Sequence, residues 1–112
     1  MNPWLGIPGG DKVLEWFAGV PCFHDAEVLE VHLDRSGPCW LTIMTTSKPA
    51  VFTFTMEEVT DLELADFSCQ NVISELVLEK RNDILRLTMN PSYGIAGFIE
   101  AKKIAVNLVP RA

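Results

Sequence analysis

Basic residues are scarce in this chain. Nine lysines and arginines stand against fifteen aspartates and glutamates, for a net charge of −6. Direct binding to nucleic acid needs a basic patch to replace condensed counterions, so that class is excluded. Long apolar runs are missing too. No stretch approaches the roughly 20 residues that span a bilayer. The opening Met1-Asn2-Pro3-Trp4-Leu5-Gly6-Ile7-Pro8-Gly9-Gly10 lacks the basic start and unbroken apolar core of a signal peptide. No membrane partner and a cytoplasmic location are the expectations. Only three cysteines occur, Cys22, Cys39 and Cys69. The count is odd and no two form a CxxC pair, so free, buried thiols in a reducing compartment are expected. There is no Gly-rich phosphate loop and no GxSxG, which removes the commonest phosphate-binding and hydrolase signatures.

What is present is enough to fold. The chain has 112 residues, 48% hydrophobic and 21% charged, so a single domain over 1–112 with one core is expected. Residues 1–10 read as an extended arm, with Trp4 and Ile7 placed to pin it. Asp11 reads as the N-cap of a helix over 11–19, because an aspartate side chain accepts first-turn amides. Gly19 and Pro21 end it. At helical spacing Trp16 belongs with the core.

Residues 23–109 read as antiparallel sheet. Leu29, Val31 and Leu33 alternate with Glu30, His32 and Asp34, which predicts one buried and one wet face. Ala26 and Val28 have the opposite parity, so either a β-bulge lies near Val28–Leu29 or the strand starts only at Val28. Further strands are predicted over Cys39–Thr46, Ala50–Met56, Val59–Leu64, Val72–Glu79 and Ile84–Met89. Leu62 and Leu64 form the core pair of the fourth. Lys80–Asp83 and Asn90–Gly94 read as turns. In Ile95–Val109, Ile99 and Ala101 differ in parity from Ile104, Val106 and Leu108, which predicts a second bulge at Lys102–Lys103. The tail Pro110–Ala112 reads as frayed. The expected fold is α+β and mostly β: one N-terminal helix packed on an antiparallel, curled sheet of about seven strands.

The residues that invite a chemical reading cluster at His24, Asp25 and Glu27. His24 and Asp25 are a base and an orienting carboxylate by type, but neighbours in a strand point to opposite faces. His24 and His32 on one strand would lie roughly 26 Å apart, too far to share a metal. Asp25 is expected to cap the turn into the strand, and His24 to satisfy an open carbonyl. Gln70 and Asn71 read as loop hydrogen-bonders. No catalytic residue, cofactor or metal is therefore assigned. Glu30 joins these residues as a candidate for binding.

Several stretches together carry a resemblance. Trp16 stands in the opening helix. Phe23-His24-Asp25-Ala26-Glu27-Val28 leads into Leu33-Asp34-Arg35. Leu62-Glu63-Leu64 and Phe67 precede Gln70-Asn71-Val72-Ile73, and Gly97-Phe98-Ile99 precedes Ile104-Ala105-Val106. This pattern resembles the immunity protein 50 family of bacterial polymorphic toxin systems; related uncharacterised bacterial domains share the same kind of opening. The resemblance implies a non-enzymatic protein that binds a cognate toxin and occludes it. The acidic surface fits that reading through steering of a basic partner. Two other readings stand beside it. One is a small-ligand or metal-assisted site, enzymatic or not, around His24, Asp25 and Glu27. The other is a homo-oligomer built on a sheet edge or an apolar patch such as Trp40 and Met44.

Overall fold

The structure is a computed structural model, and it describes residues 2–111. A 3-10 turn at Pro3–Gly6 and a helix α1 at Gly10–Phe17 precede six strands: β1 Ala26–His32, β2 Cys39–Met44, β3 Ala50–Ala65, β4 Val72–Arg81, β5 Ile84–Tyr93 and β6 Ala96–Pro110. All pairings are antiparallel, and the order β1-β2-β3-β6-β5-β4 closes into a barrel. The fold is thus mostly β with one helix, but the sheet is a closed barrel of six strands rather than about seven curled ones.

The strand count differs because the third and fourth predicted strands are one. β3 runs sixteen residues and pairs with β6 from Ala50↔Pro110 to Ala65↔Ala96. Glu58 adopts a left-handed backbone, φ 54°, and the register slips between Val59 and Asp61. Residues 57–60 hold no glycine, proline or asparagine to reverse the chain, so the strand bends there and continues. The same bend explains the parity change in β6. Met56 faces Ile104 and Val59 faces Ala101, while Glu57, Glu58, Lys102 and Lys103 between them are all exposed. Both strands switch face at one level, so no extra residue is needed at Lys102–Lys103. The register slip lies instead beside Thr60. Glu58 Oε2 sits 3.4 Å from Lys103 Nζ across this bend.

The first bulge lies where parity places it. β1 pairs Val28 with Ile43 and Glu30 with Thr42, leaving Leu29 as the extra residue. Ala26 and Val28 are buried, and Val31 packs on the core. Leu29 and Leu33 are not core residues: they are 46% and 48% exposed. A bulged residue has no slot on the inner face, and Leu33 lies beyond the end of the strand. Leu62, expected in the core, is also exposed, whereas Leu64 packs against it.

Other boundaries shift for local reasons. β5 continues to Tyr93 through the predicted turn at 90–94, because Pro91 falls opposite Ile73 at an irregular step of the ladder, where a missing amide is tolerated. The β4–β5 turn shrinks to Asn82-Asp83, with Asn82 in the left-handed region that asparagine accepts. Of the tail, Pro110 belongs to β6 and Arg111 N–H donates to Pro49 O at 2.9 Å; Ala112 lies outside the described residues.

The barrel interior is filled by Leu41, Ile43, Phe52, Phe54, Met56, Ile73, Leu87, Ile99 and their neighbours. The N-terminal segment completes it. β5 pairs with β6 only from Met89↔Gly97 to Leu85↔Ala101. Further along β6, the Val106 N–H donates to Pro8 O at 2.9 Å. The arm thus takes the place of a neighbouring strand. Trp4 and Ile7 are buried, and Trp4, Phe17, Phe23, Phe52 and Phe54 form one aromatic cluster. Asp11 does not cap α1. Gly9, at φ 84°, is the N-cap residue, and Asp11 lies in the first turn, where its charge complements the helix dipole. The close approach of Gly9 to the Val106 carbonyl positions the helix start from outside. Ala18 rather than Gly19 takes the left-handed C-terminal position, and the Gly19 N–H returns to Leu14 O. Trp16 is half-buried, with Lys48 Nζ 4.2 Å above its ring and 2.8 Å from its carbonyl oxygen.

Candidate functional site

The weakest closure of the barrel is the seam between β1 and β4. These strands share two residue pairs, Ala26↔Ile73 and Glu27↔Val72. Beyond them they diverge in opposite directions, because they are antiparallel. On one side β4 runs on without a partner on its β1 side. On the other, β1 does the same. Each unpaired edge borders a groove, and every residue of the His24-Asp25-Glu27 stretch lies on this seam.

The groove along β4 is the larger, about 700 Å³, between Ser74–Leu78 on one wall and Asn2–Trp4 with Val20–His24 on the other. His24 stands at its end. Residues 24 and 25 form a turn ahead of β1 rather than part of a strand, and Asp25 has φ 64°. That turn brings His24 Nε2 to 3.5 Å from Asp25 Oδ2, so the expectation that strand geometry separates the pair is corrected. The contact is long for a hydrogen bond, and both side chains are more than 60% exposed; a pair so placed contributes little to stability. His24 Nδ1 lies 3.3 Å from the backbone oxygen of Ser74, which ties the turn to β4. Asp25 holds the turn through its backbone N–H, donated to Ile73 O at 2.9 Å, rather than by side-chain capping. Among the described residues no three His, Cys, Asp or Glu side chains converge as metal ligands. His32 is on the outer face of β1, stacked on Trp40 with ring centroids 3.7 Å apart.

The groove along β1 is about 210 Å³ and is lined by Val28–Val31, Phe67, Asn71 and Ile95. Asn71 builds it. Its Oδ1 accepts from Ser68 N–H at 3.1 Å and Ile95 N–H at 2.9 Å, its Nδ2 donates to Ser68 O at 2.9 Å, and its backbone oxygen accepts from Val28 N–H at 2.8 Å. Asn71 thus fastens the 66–71 loop and the Gly94–Ile95 turn through its side chain, and β1 through its backbone oxygen. Ile95 is fully buried, so Asn71→Ala would strand its amide. Such losses cost about 1–3 kcal/mol. A lowered urea midpoint is the expected result, with Asn71→Asp retaining more stability than Asn71→Ala; an unchanged midpoint in Asn71→Ala would contradict this role. Gln70 is exposed and no side-chain hydrogen bond involves it among the described residues.

Around this second groove the surface is apolar and acidic at once. Leu29, Leu33 and Phe67 are exposed, Phe67 by 56%. Glu27, Glu30, Asp34 and Asp66 neighbour them in sequence. Glu30 Oε1 accepts from Trp40 Nε1 at 2.8 Å, so its carboxylate is held outward on the β1–β2 face. Sequence reasoning missed Leu29, Leu33 and Phe67 as surface residues. A signal existed for Leu29: a residue at a parity switch is the one left off both faces. Cys22 and Cys69 are exposed and only Cys39 is buried, which corrects the expectation of buried thiols; all three are free.

The class this geometry defines is a small closed antiparallel barrel with an arm-and-helix plug and an open seam. Comparison with protein-family models, with curated proteins and with solved structures finds no match. No helix among the described residues is long and apolar enough to cross a membrane.

Proposed function

We propose that this chain is a non-enzymatic binding protein that neutralises a basic partner protein, a cognate bacterial toxin, by steric occlusion. The observation that carries the reading is the groove along β1, where the lining residues Leu29 and Phe67 are exposed, Glu30 lines it too, and Glu27 and Asp66 are close to them in sequence. Clustered exposed apolar side chains mark interaction surfaces. Acidic neighbours steer a cationic partner and exclude anionic ones. The resemblance to immunity proteins supports the same reading, as does the net charge of −6. The small-ligand reading around His24, Asp25 and Glu27 has less support, since these side chains do not converge on one point.

Co-expression with a toxin-like protein encoded beside this chain tests the proposal: growth is expected to be rescued, and failure to rescue with any such neighbour would sink it. Steering makes a separate prediction. Glu27→Lys combined with Glu30→Lys is expected to lower the association rate with that partner by about ten-fold or more at low salt, and by less at high salt. Stopped-flow or surface-binding kinetics would read it. An unchanged rate at low salt removes steering from the mechanism.

A further inference from the structure

The outer side of the barrel is not uniform. Across β4, β5 and the start of β6, outward residues form a charged ladder, Glu79↔Arg86↔Glu100, with Arg86 Nε 2.9 Å from Glu100 Oε2. Alternating charges of this kind suit a face in water. Across β2, β3 and the end of β6, three successive outward rows carry no charge. The first row is Met44↔Val51↔Val109. The second is Thr42↔Thr53↔Asn107, and the third is Trp40↔Thr55↔Ala105. Every one of these residues is half-buried or exposed. In a chain that is 21% charged, an uncharged block of this width marks an interaction surface, since interface centres are depleted of charge.

The two rims of this block carry opposite charge. β1 continues the rows with Glu27, Glu30 and His32. On the far side, period two along β6 carries the outward set from Val109 to the exposed Arg111, whose N–H donates to Pro49 O.

We infer that this face receives a second copy of the chain, about a two-fold axis parallel to the strands. Such an axis lays β1 of each copy over β6 of the other, and β2 over β3, with the rows level. Met44 then meets Val51, and Thr42 meets Thr53. The bulky His32 and Trp40, stacked with centroids 3.7 Å apart, meet the small Ala105 and Thr55. Glu30, whose carboxylate accepts from Trp40 Nε1, meets the amide of Asn107. Glu27 comes beside Arg111. Each contact occurs twice, as in any two-fold interface. An axis across the strands would instead lay β1 on β1 and set one acidic rim against the other, where like charges repel. The basic partner proposed above is a poor occupant, because the three rows offer it no carboxylate. It keeps the groove along β1, and self-association needs no such partner.

Size sets the strength of this dimer. Strands about 4.8 Å apart and rows about 7 Å apart give four strands by three rows a footprint of roughly 400 Å². That is about half of the roughly 800 Å² per partner in a stable complex. A weak dimer, filled only at high concentration, is the consequence.

Sedimentation equilibrium of the full chain from about 10 µM to 1 mM tests it, and the dissociation constant is expected within that range. A reducing buffer keeps the exposed Cys22 and Cys69 from linking copies. Thr53→Lys, an outward substitution near the axis, is expected to weaken association about ten-fold or more while the melting temperature holds. Glu27→Lys and Arg111→Glu are each expected to weaken it about five-fold, because the pair occurs twice. The double variant is expected to recover the native value, since it re-forms the pair with the charges exchanged. In the unsubstituted chain, concentration-dependent amide shifts are expected to centre on Thr42, Thr53 and Asn107. A monomer at 1 mM, or shifts centred on Leu29–Val31 or Ser74–Leu78, would overturn the inference. A dimer unaffected by Thr53→Lys would overturn the face. A double variant as weak as both single changes combined would overturn the axis. Absence of growth rescue, by contrast, bears on the toxin-binding reading alone.

Discussion

Phe23→Ala is expected to lose about 3–5 kcal/mol of stability, the range for removing a fully packed aromatic side chain. The ring is 2% exposed. It lies 5.2 Å from Phe17, 5.1 Å from Phe52, 6.0 Å from Trp4 and 6.3 Å from Phe54, centroid to centroid. Those partners come from three different elements: the 3-10 turn, α1 and β3. Phe23 therefore joins the N-terminal plug to the barrel, and its loss leaves a void that none of them can fill alone. For a chain of this size the melting temperature should fall by roughly 10–20 °C. Phe67→Ala is the control. Its ring is exposed, and the expected change is within about 0.5 kcal/mol. Comparable melting of the Phe23→Ala and native proteins would show that the arm and helix are bound by something other than this cluster.

Phe52, Phe54, Met56, Leu76, Leu78, Leu85 and Leu87 alternate along the predicted strands, and all are buried. Period-two patterning survives in strands because each inner position is set by its own neighbours. The parity change at Leu29 was legible too, and the β1–β2 register decides for the bulge over a strand that starts only at Val28. Barrel closure was not legible. It depends on the Ala26↔Ile73 and Glu27↔Val72 pairs and on the sixteen-residue length of β3. The lack of a turn residue in 57–60 is the one local hint that the strand bends at Glu58 rather than ends. Helix α1 shows the same limit, since Gly9 owes its place to the carbonyl of Val106, almost a hundred residues on.

The candidate surface was legible in part. Glu27 and Glu30 were identifiable as outward acids, and Asn71 as a loop hydrogen-bonder. The approach of His24 to Asp25 is not legible, because strand spacing separates neighbouring side chains and only the positive φ of Asp25 brings them together. The exposed leucines were unreadable by hydrophobicity alone: the same residue type that fills a core also marks an interface.

The second large effect concerns Gly97. It sits in β6 between two strands, paired with Leu64 of β3 and Met89 of β5. Its φ is 137°, a conformation that side chains other than glycine rarely adopt, and a Cβ there would lie 1.8 Å from the backbone oxygen of Glu63. That atom is backbone in a paired strand, so it cannot swing aside as a flexible side chain would. Gly97→Ala must therefore either part β3 from β6 or rotate β6 out of its ladder. Backbone strain and overpacking each cost about 1–3 kcal/mol, and the two add at one residue. The expected loss is about 3–5 kcal/mol, with the fastest amide exchange appearing along Asp61–Ala65 and Ala96–Glu100. Gly6→Ala serves as the comparison, because a Cβ at Gly6 meets nothing within 4 Å. A Gly97→Ala protein as stable as Gly6→Ala would mean that the β3–β6 ladder yields at this point, and that the barrel is held closed there by side chains rather than by its backbone.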